Sequence, residues 1–234
     1  MNKLIVISGG TKGIGKAIIE RFAAANFDIA TCARSTEDLQ ALKKEVEGKH
    51  GVSVFVHATD MSKKSEVLGF AKFVIGLERP IDVLVNNAGY FRPGLMTEEP
   101  EGTLEKMIDT NLYSAYHLTR ALIQKIKKAK DGHIFSICSV ASLIAYPNGG
   151  SYSISKFAML GFSKVLREEL KSFGVRVTAI MAGATLTASW EGVDIPEERF
   201  MKPEDVAEAV FSANSMSKQS VVEELIIRPQ LGDI

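Results

Sequence analysis

Along the chain, short runs of β-branched and apolar residues alternate with longer amphipathic stretches. The apolar runs fall at 4–8, 28–33, 52–58, 81–86, 132–138, 175–181 and 223–228. Most are continuous rather than alternating, so both faces of each strand are expected to be buried, as in a parallel sheet covered by helices. Between them, apolar positions recur at helical spacing near 14–25, 36–48, 63–77, 103–129, 151–173 and 203–214. Strand–helix alternation with short connections predicts a doubly wound α/β fold, one domain over residues 1–234. Two connections are longer, 90–102 and 183–203, and the second carries the only tryptophan, Trp190. Both follow predicted strands at their carboxyl ends, where open α/β sheets bind ligands. The stretch 183–203 is read as a substrate loop.

The first predicted strand runs straight into Gly9, Gly10, Thr11, Lys12, Gly13, Ile14 and Gly15, and a helix begins at once. Strand, glycine turn and helix together make a phosphate cradle: glycine permits the tight turn and lets a pyrophosphate approach backbone N–H groups at the positive helix end. The second strand ends at Arg34 with no acid there to bind a ribose 2′-hydroxyl. Arg34 and Lys12 instead suit a 2′-phosphate by charge-assisted hydrogen bonding, which favours NADPH over NADH. Asp60, past the third strand, has two readings: an acceptor for an adenine amino group, or the N-cap of the helical segment from Ser62.

Tyr152-x-x-x-Lys156 places a phenol and an ammonium about one helical turn apart, on one helix face. A nearby cation is expected to draw the phenol down from its ordinary value near 10. Ser139, at the end of the apolar run 132–138, supplies a hydroxyl to hold a substrate carbonyl against that acid. Asn111 falls in an apolar stripe with Leu104, Ile108, Ala115, Leu118 and Leu122. A buried amide needs partners: a water chain toward Lys156, or contacts in an inert core.

Composition narrows the field. The 234 residues are 46% hydrophobic and 24% charged, enough for one sizeable core. Lys and Arg together number 28, as do Asp and Glu, so nothing calls for nucleic acid or an anionic membrane surface. Cys32 and Cys138 are the only cysteines and show no metal-ligand spacing, so they read as small core residues and no metal is expected. The first apolar run is too short for a signal peptide, and no stretch reaches the roughly 20 apolar residues of a membrane span. A soluble, cytoplasmic protein is the expectation.

Taken together, Gly9-x-x-x-Gly13-x-Gly15, Asn86-Asn87-Ala88-Gly89, Asn111, Ser139 and Tyr152-x-x-x-Lys156 resemble the short-chain dehydrogenases/reductases, in that family's order and over essentially the whole chain. The resemblance implies a seven-stranded Rossmann fold and hydride transfer between a nicotinamide and an alcohol or carbonyl. It implies that Asn111, Ser139, Tyr152 and Lys156 form the catalytic set. It also implies that the cofactor meets the glycine turn, Arg34, Asp60, Met61, Asn87, Ala88, Gly89, Tyr152, Lys156, Gly183 and Thr185, with Asn87 on the adenosine side. Homodimers or homotetramers through 103–129 and 151–173 follow from it as well. One departure stands out: Ala182-Gly183 occupies a place where the family usually shows Pro-Gly. Within the family, the segments 188–193 and 221–234 look like those of bacterial sepiapterin reductases. A small carbonyl substrate, such as a pterin, is then expected beside Ser139, Tyr152 and Trp190. The Trp190 indole either stacks on that flat ring or anchors its own loop, and Glu98, Glu191, Asp194 or Asp233 would meet the ring's guanidine-like edge. Dehydrogenation of small 3-hydroxy acids or other alcohols, and NADP sensing without catalysis, stand as alternatives.

Overall fold

The computed structural model describes residues 1–190 and 192–234, which leaves Glu191, one of the four candidate carboxylates, outside them. Among the described residues, seven strands form one parallel sheet. They are β1 (Leu4–Ser8), β2 (Asp28–Ala33), β3 (Val54–Ala58), β4 (Val83–Asn86), β5 (His133–Ile137), β6 (Arg176–Ala182) and β7 (Glu224–Ile227). Their order is β3-β2-β1-β4-β5-β6-β7. The chain moves outward from β1 to β3, then returns to the other flank of β1 as β4. This reversal opens a crevice at the carboxyl ends of β1 and β4. The doubly wound class read from the sequence is the one observed, with strand boundaries within two residues of those expected.

Helices α1 (Gly13–Ala23), α2 (Thr36–His50), α3 (Lys64–Ile75), α4 (Thr103–Ile108), α5 (Ser114–Ile126), α6 (Gly150–Leu170) and α7 (Pro203–Ser215) cover both faces. Strand period sorts the core in two. Ile5 and Ile7 face one layer with Ile18 and Phe22 of α1, Val46 of α2 and Val210 of α7. Leu4 and Val6 face the other with Phe70 of α3, Leu122 of α5 and Leu166 of α6. Each such side chain, fully buried, contributes roughly 1.5–3 kcal/mol relative to exposure. Cys32 and Cys138 are both buried and unpaired. Among the described residues, no helix is long and apolar enough to cross a membrane.

The stretch 103–129 is not one regular helix. A π-helical turn, Asp109–Tyr113, separates α4 from α5. The wider turn rotates the face that follows it, so the expected stripe is off by one residue on the α4 side: Leu104 is 38% exposed, whereas Met107 is fully buried. Asn111, Ala115, Leu118 and Leu122 are buried as expected.

Candidate active site

The first segment of the site comes from the turn between β1 and α1. Gly9 N and Gly10 N both donate to Cys32 O, at 2.9 and 3.3 Å, which folds the turn back over β2. Gly10 has no room for a side chain, because a Cβ there would run into Thr31 Oγ1 and the Ile19 methyl. A Cβ on Gly15 would meet Gly9 O and Asn87 Nδ2. The start of α1 has no side-chain cap and no acid in its first turn, and its first N–H groups have no acceptor within the helix. Those open donors at a positive helix end suit a diphosphate. Thr11 and Ile14 lie half-buried along the same turn.

Asn87 braces this turn from β4. Its Nδ2 donates to Ser8 O at 2.9 Å and Gly9 O at 3.0 Å, while Asn87 N and Ala88 N both donate to Ser8 Oγ. The Asn87 side chain thus holds the cradle in shape.

At the end of β2, Arg34 is exposed, and Lys12 reaches Asp38 of α2 across an exposed 3.6 Å pair. The structure removes the helix N-cap from the two readings of Asp60. Its Oδ1 accepts from Ser62 N at 3.0 Å and Ser62 Oγ at 2.7 Å, but α3 starts only at Lys64, so Asp60 is not its N-cap. The Ser62 hydroxyl holds the Asp60 carboxyl below its usual range against the opposing effect of burial, with Lys63 and Arg34 adding to the lowering. Met61 is buried, its sulfur 3.5 Å from Cys32 Sγ.

The second segment gathers around α6. Ser139 lies at the carboxyl end of β5, its Oγ accepting from Ala141 N at 3.2 Å. Tyr152 is half-buried, its phenol near enough to Ser139 for that side chain to act on its pKa. Lys156 is buried, its Nζ donating to Ile137 O at 2.9 Å and standing 5.7 Å from the Tyr152 ring centre. Gly89 lies between Asn111 and Lys156: a Cβ on it would sit 3.5 Å from Asn111 Oδ1 and 3.7 Å from Lys156 Nζ. The Asn111 amide is held by protein. Oδ1 accepts from Tyr90 N at 2.6 Å, and Nδ2 donates to Tyr90 O at 3.0 Å and Ser155 Oγ at 2.8 Å. One Oδ1 lone pair stays free for a further donor.

The direction of the Tyr152 shift reverses the sequence expectation. Burial pushes the phenol up to about 12, only partly offset by the Ser139 hydrogen bond. Burial likewise holds the Lys156 ammonium below its ordinary value. The ammonium turns to the Ile137 carbonyl rather than to the phenol, so desolvation outweighs its pull.

Two loops close the far side. In the 183–203 loop, Gly183 N donates to Ile227 O at 2.8 Å, and a Cβ there would meet Pro229 Cδ at 3.0 Å and Asp233 Oδ1 at 3.2 Å. Contact with the C-terminal segment therefore holds the loop entry where a proline is missing. Thr185 Oγ1 donates to Gly183 O at 3.0 Å, and Thr187 packs over Gly13. Trp190 meets Phe200 edge-on at 5.1 Å and faces Phe91 of the other loop at 6.3 Å. Phe91 in turn contacts the Tyr152 ring edge-on at 4.8 Å. Trp190 is thus both a loop anchor and part of an aromatic wall. Of the candidate carboxylates, Glu98 and Asp194 are exposed, while Asp233 lies beside Gly183 and 3.5 Å from Arg228. Phe91 and Thr187 were not legible in the sequence, since only the length of their loops marked them.

Similarity to known proteins runs the length of the chain. Sepiapterin reductase of Chlorobaculum tepidum is 33% identical over 242 aligned residues, covering 100% of this chain and 99% of that protein. A 3-oxoacyl-acyl-carrier-protein reductase of Chlamydia muridarum is 31% identical, covering 93% of this chain and 92% of its own length. An alcohol dehydrogenase of the archaeon Thermococcus sibiricus, solved with 5-hydroxy-NADP, superposes with a TM-score of 0.90 at 30% identity over 98% of this chain and 97% of that one. Residues 3–197 match the short chain dehydrogenase family itself. With the parallel sheet, the glycine cradle and the Ser139/Tyr152/Lys156 cluster already in one crevice, that match is decisive: the chain belongs to the short chain dehydrogenase family.

Proposed function

We propose that this chain is an NADPH-dependent carbonyl reductase in which Tyr152 is the proton donor. The observation that carries it is the clustering of Tyr152 with the buried Lys156 on α6 and with Ser139 past β5, at the same sheet edge as an uncapped glycine turn. The turn from Gly9 to Gly15 would hold the diphosphate, Arg34 and Lys12 the 2′-phosphate, and Lys156 with Gly183 and Thr185 the nicotinamide end. A relative solved with 5-hydroxy-NADP supports that choice of cofactor. When bound, NADPH supplies hydride to the carbonyl carbon.

The chain's own residues do the rest. Ser139 hydrogen-bonds the carbonyl oxygen, and Tyr152 donates its proton as negative charge builds there, which favours the transition state over the ground state. With its phenol pushed up, Tyr152 carries a proton throughout the neutral range, as reduction requires. Lys156 would hold the cofactor's ribose and would lower the phenol toward the range where proton transfer is fast. Asn111 uses its free lone pair to order the water that returns the proton.

For the substrate we favour a flat heteroaromatic ketone of the pterin class. The aromatic wall of Phe91 and Trp190, the Asp233 carboxylate beside Gly183, and the 33% identical sepiapterin reductase support it. The 31% identical 3-oxoacyl reductase favours a second reading, a 3-oxoacyl thioester. Following NADPH absorbance with sepiapterin, small diketones and a 3-oxoacyl thioester decides between them. Sepiapterin is expected to lead in kcat/KM by at least about tenfold; a lead for the thioester rejects the pterin reading.

A further inference from the structure

Helix α6 carries Tyr152 and Lys156, yet it begins without a cap of its own. Gly149 and Gly150 precede Ser151, no side chain of the helix caps it, and its first turn holds no acid. The missing partner comes from 52 residues earlier in the chain. The Glu99 carboxylate accepts from Ser151 N, with Oε1 at 3.1 Å and Oε2 at 3.4 Å, and from Ser151 Oγ as well. Gly150 makes this approach possible: it sits at φ +33, and a Cβ on it would collide with the Glu99 carboxylate and with Gly94 O. Gly94 N adds a second tie, donating to Asn148 O at 3.0 Å just ahead of the helix.

The same loop holds Tyr152 from its other side. Phe91 packs edge-on against the phenol ring, and Tyr90 is fixed through both its backbone groups by Asn111. Residues 90–102 therefore touch Tyr152 twice, through its ring and through the backbone of the residue before it. A carboxylate on the open N–H groups of a helix is favourable in charge as well as in hydrogen bonding. Here, unusually, the cap belongs to the wall of the substrate crevice rather than to the helix.

We propose that Glu99 is a positioning residue: its carboxylate caps α6 from the substrate-side loop, so that ordering of residues 90–102 and placement of Tyr152 are one event. The proposal rests on Tyr152 being the proton donor only for its kinetic consequence. Its structural consequence holds whatever the reaction.

The test joins amide hydrogen exchange on the cofactor-free protein with steady-state kinetics. In Glu99→Ala, exchange is expected to rise together in 90–102 and in the first turn of α6. The kcat for carbonyl reduction is expected to fall about tenfold, a loss of the size that small misplacements produce, with KM for NADPH within about twofold. Glu99→Gln, whose amide oxygen still accepts from Ser151 N, should restore most of both readouts. Faster exchange confined to the loop, or an unchanged kcat in folded Glu99→Ala, overturns the proposal. Should Glu99→Ala fail to fold, Ser151→Ala carries the same test, with a smaller joint rise in exchange expected and no rise in the α6 turn overturning it. A wrong assignment of Tyr152 would instead leave the joint rise in exchange intact while Tyr152→Phe kept full activity.

Discussion

The two ends of the crevice are built from different materials. The end proposed to hold the diphosphate is almost all backbone: strand, turn and helix folded so tightly that Gly10 and Gly15 admit no Cβ. The end proposed for the chemistry is all side chain: Ser139 past β5, Tyr152 and Lys156 one turn apart on α6, and Asn111 in the π turn before α5. A backbone cradle offers N–H groups rather than side chains to a ligand, with the Asn87 side chain bracing its turn. A side-chain cluster depends on each member and on whatever holds each member in place.

That contrast can be broken at either end. The largest effect is expected from Tyr152→Phe, which removes the proposed proton donor and leaves the ring: kcat should fall by about a thousandfold, with NADPH affinity by fluorescence titration unchanged. Full activity in this variant would remove Tyr152 from the chemistry. Gly15→Ala attacks the other end. Its methyl displaces Gly9 O or the Asn87 amide, so NADPH affinity should fall by about tenfold or more, the loss of one or two charge-assisted bonds, while kcat at saturating cofactor stays near that of the unaltered chain. If kcat collapses as well, the two ends are not separable.

How much of this was readable in advance follows the same line. The cradle lies within seven consecutive residues, so strand, glycines and helix could be recognised from local pattern alone. Tyr152 and Lys156 were legible for the same reason, one helical turn apart. What was not legible is what acts at a distance. The sign of the Tyr152 shift depends on how deeply neighbours bury it, which no spacing reports. The π turn at Asp109–Tyr113 moved the buried face of α4 by one residue without any glycine or proline to announce it. Phe91 and Glu99 sit in a stretch without periodicity, and only the folded chain sets them against Tyr152 and Ser151.

Smaller effects sharpen the comparison. Arg34→Ala should cut the preference for NADPH over NADH by about tenfold, measured as the ratio of kcat/KM values, because one charged contact to a 2′-phosphate is lost. An unchanged ratio would assign that phosphate to Lys12 or to the start of α2. The least perturbing variant lies far from both ends. His133 is fully buried in β5, its Nε2 2.8 Å from Thr178 Oγ1, and burial with the nearby Arg176 pushes it down to about 3. The unfolded chain takes up a proton there below about pH 6.5 that the folded chain refuses. Stability from this site is therefore complete above that pH and drains away as the pH falls toward 3. His133→Gln should flatten the fall of Tm between about pH 6.5 and 4 while leaving kcat at pH 7 unchanged. A Tm profile as steep as before would show that acid lability arises elsewhere.

The 183–203 loop is pinched at its base. Leu186 N donates to Met201 O at 2.9 Å and Met201 N donates to Ala184 O at 3.0 Å, so the chain leaves β6 and enters α7 through a single backbone clasp. Beyond the clasp, the loop touches the rest of the chain through side chains, with Trp190 facing Phe91 and Thr187 over Gly13. Such a loop is an exchangeable cartridge. Changes at its tip need not disturb the register of the sheet, so the proposed proton-transfer site could be refitted for carbonyl compounds of different shape.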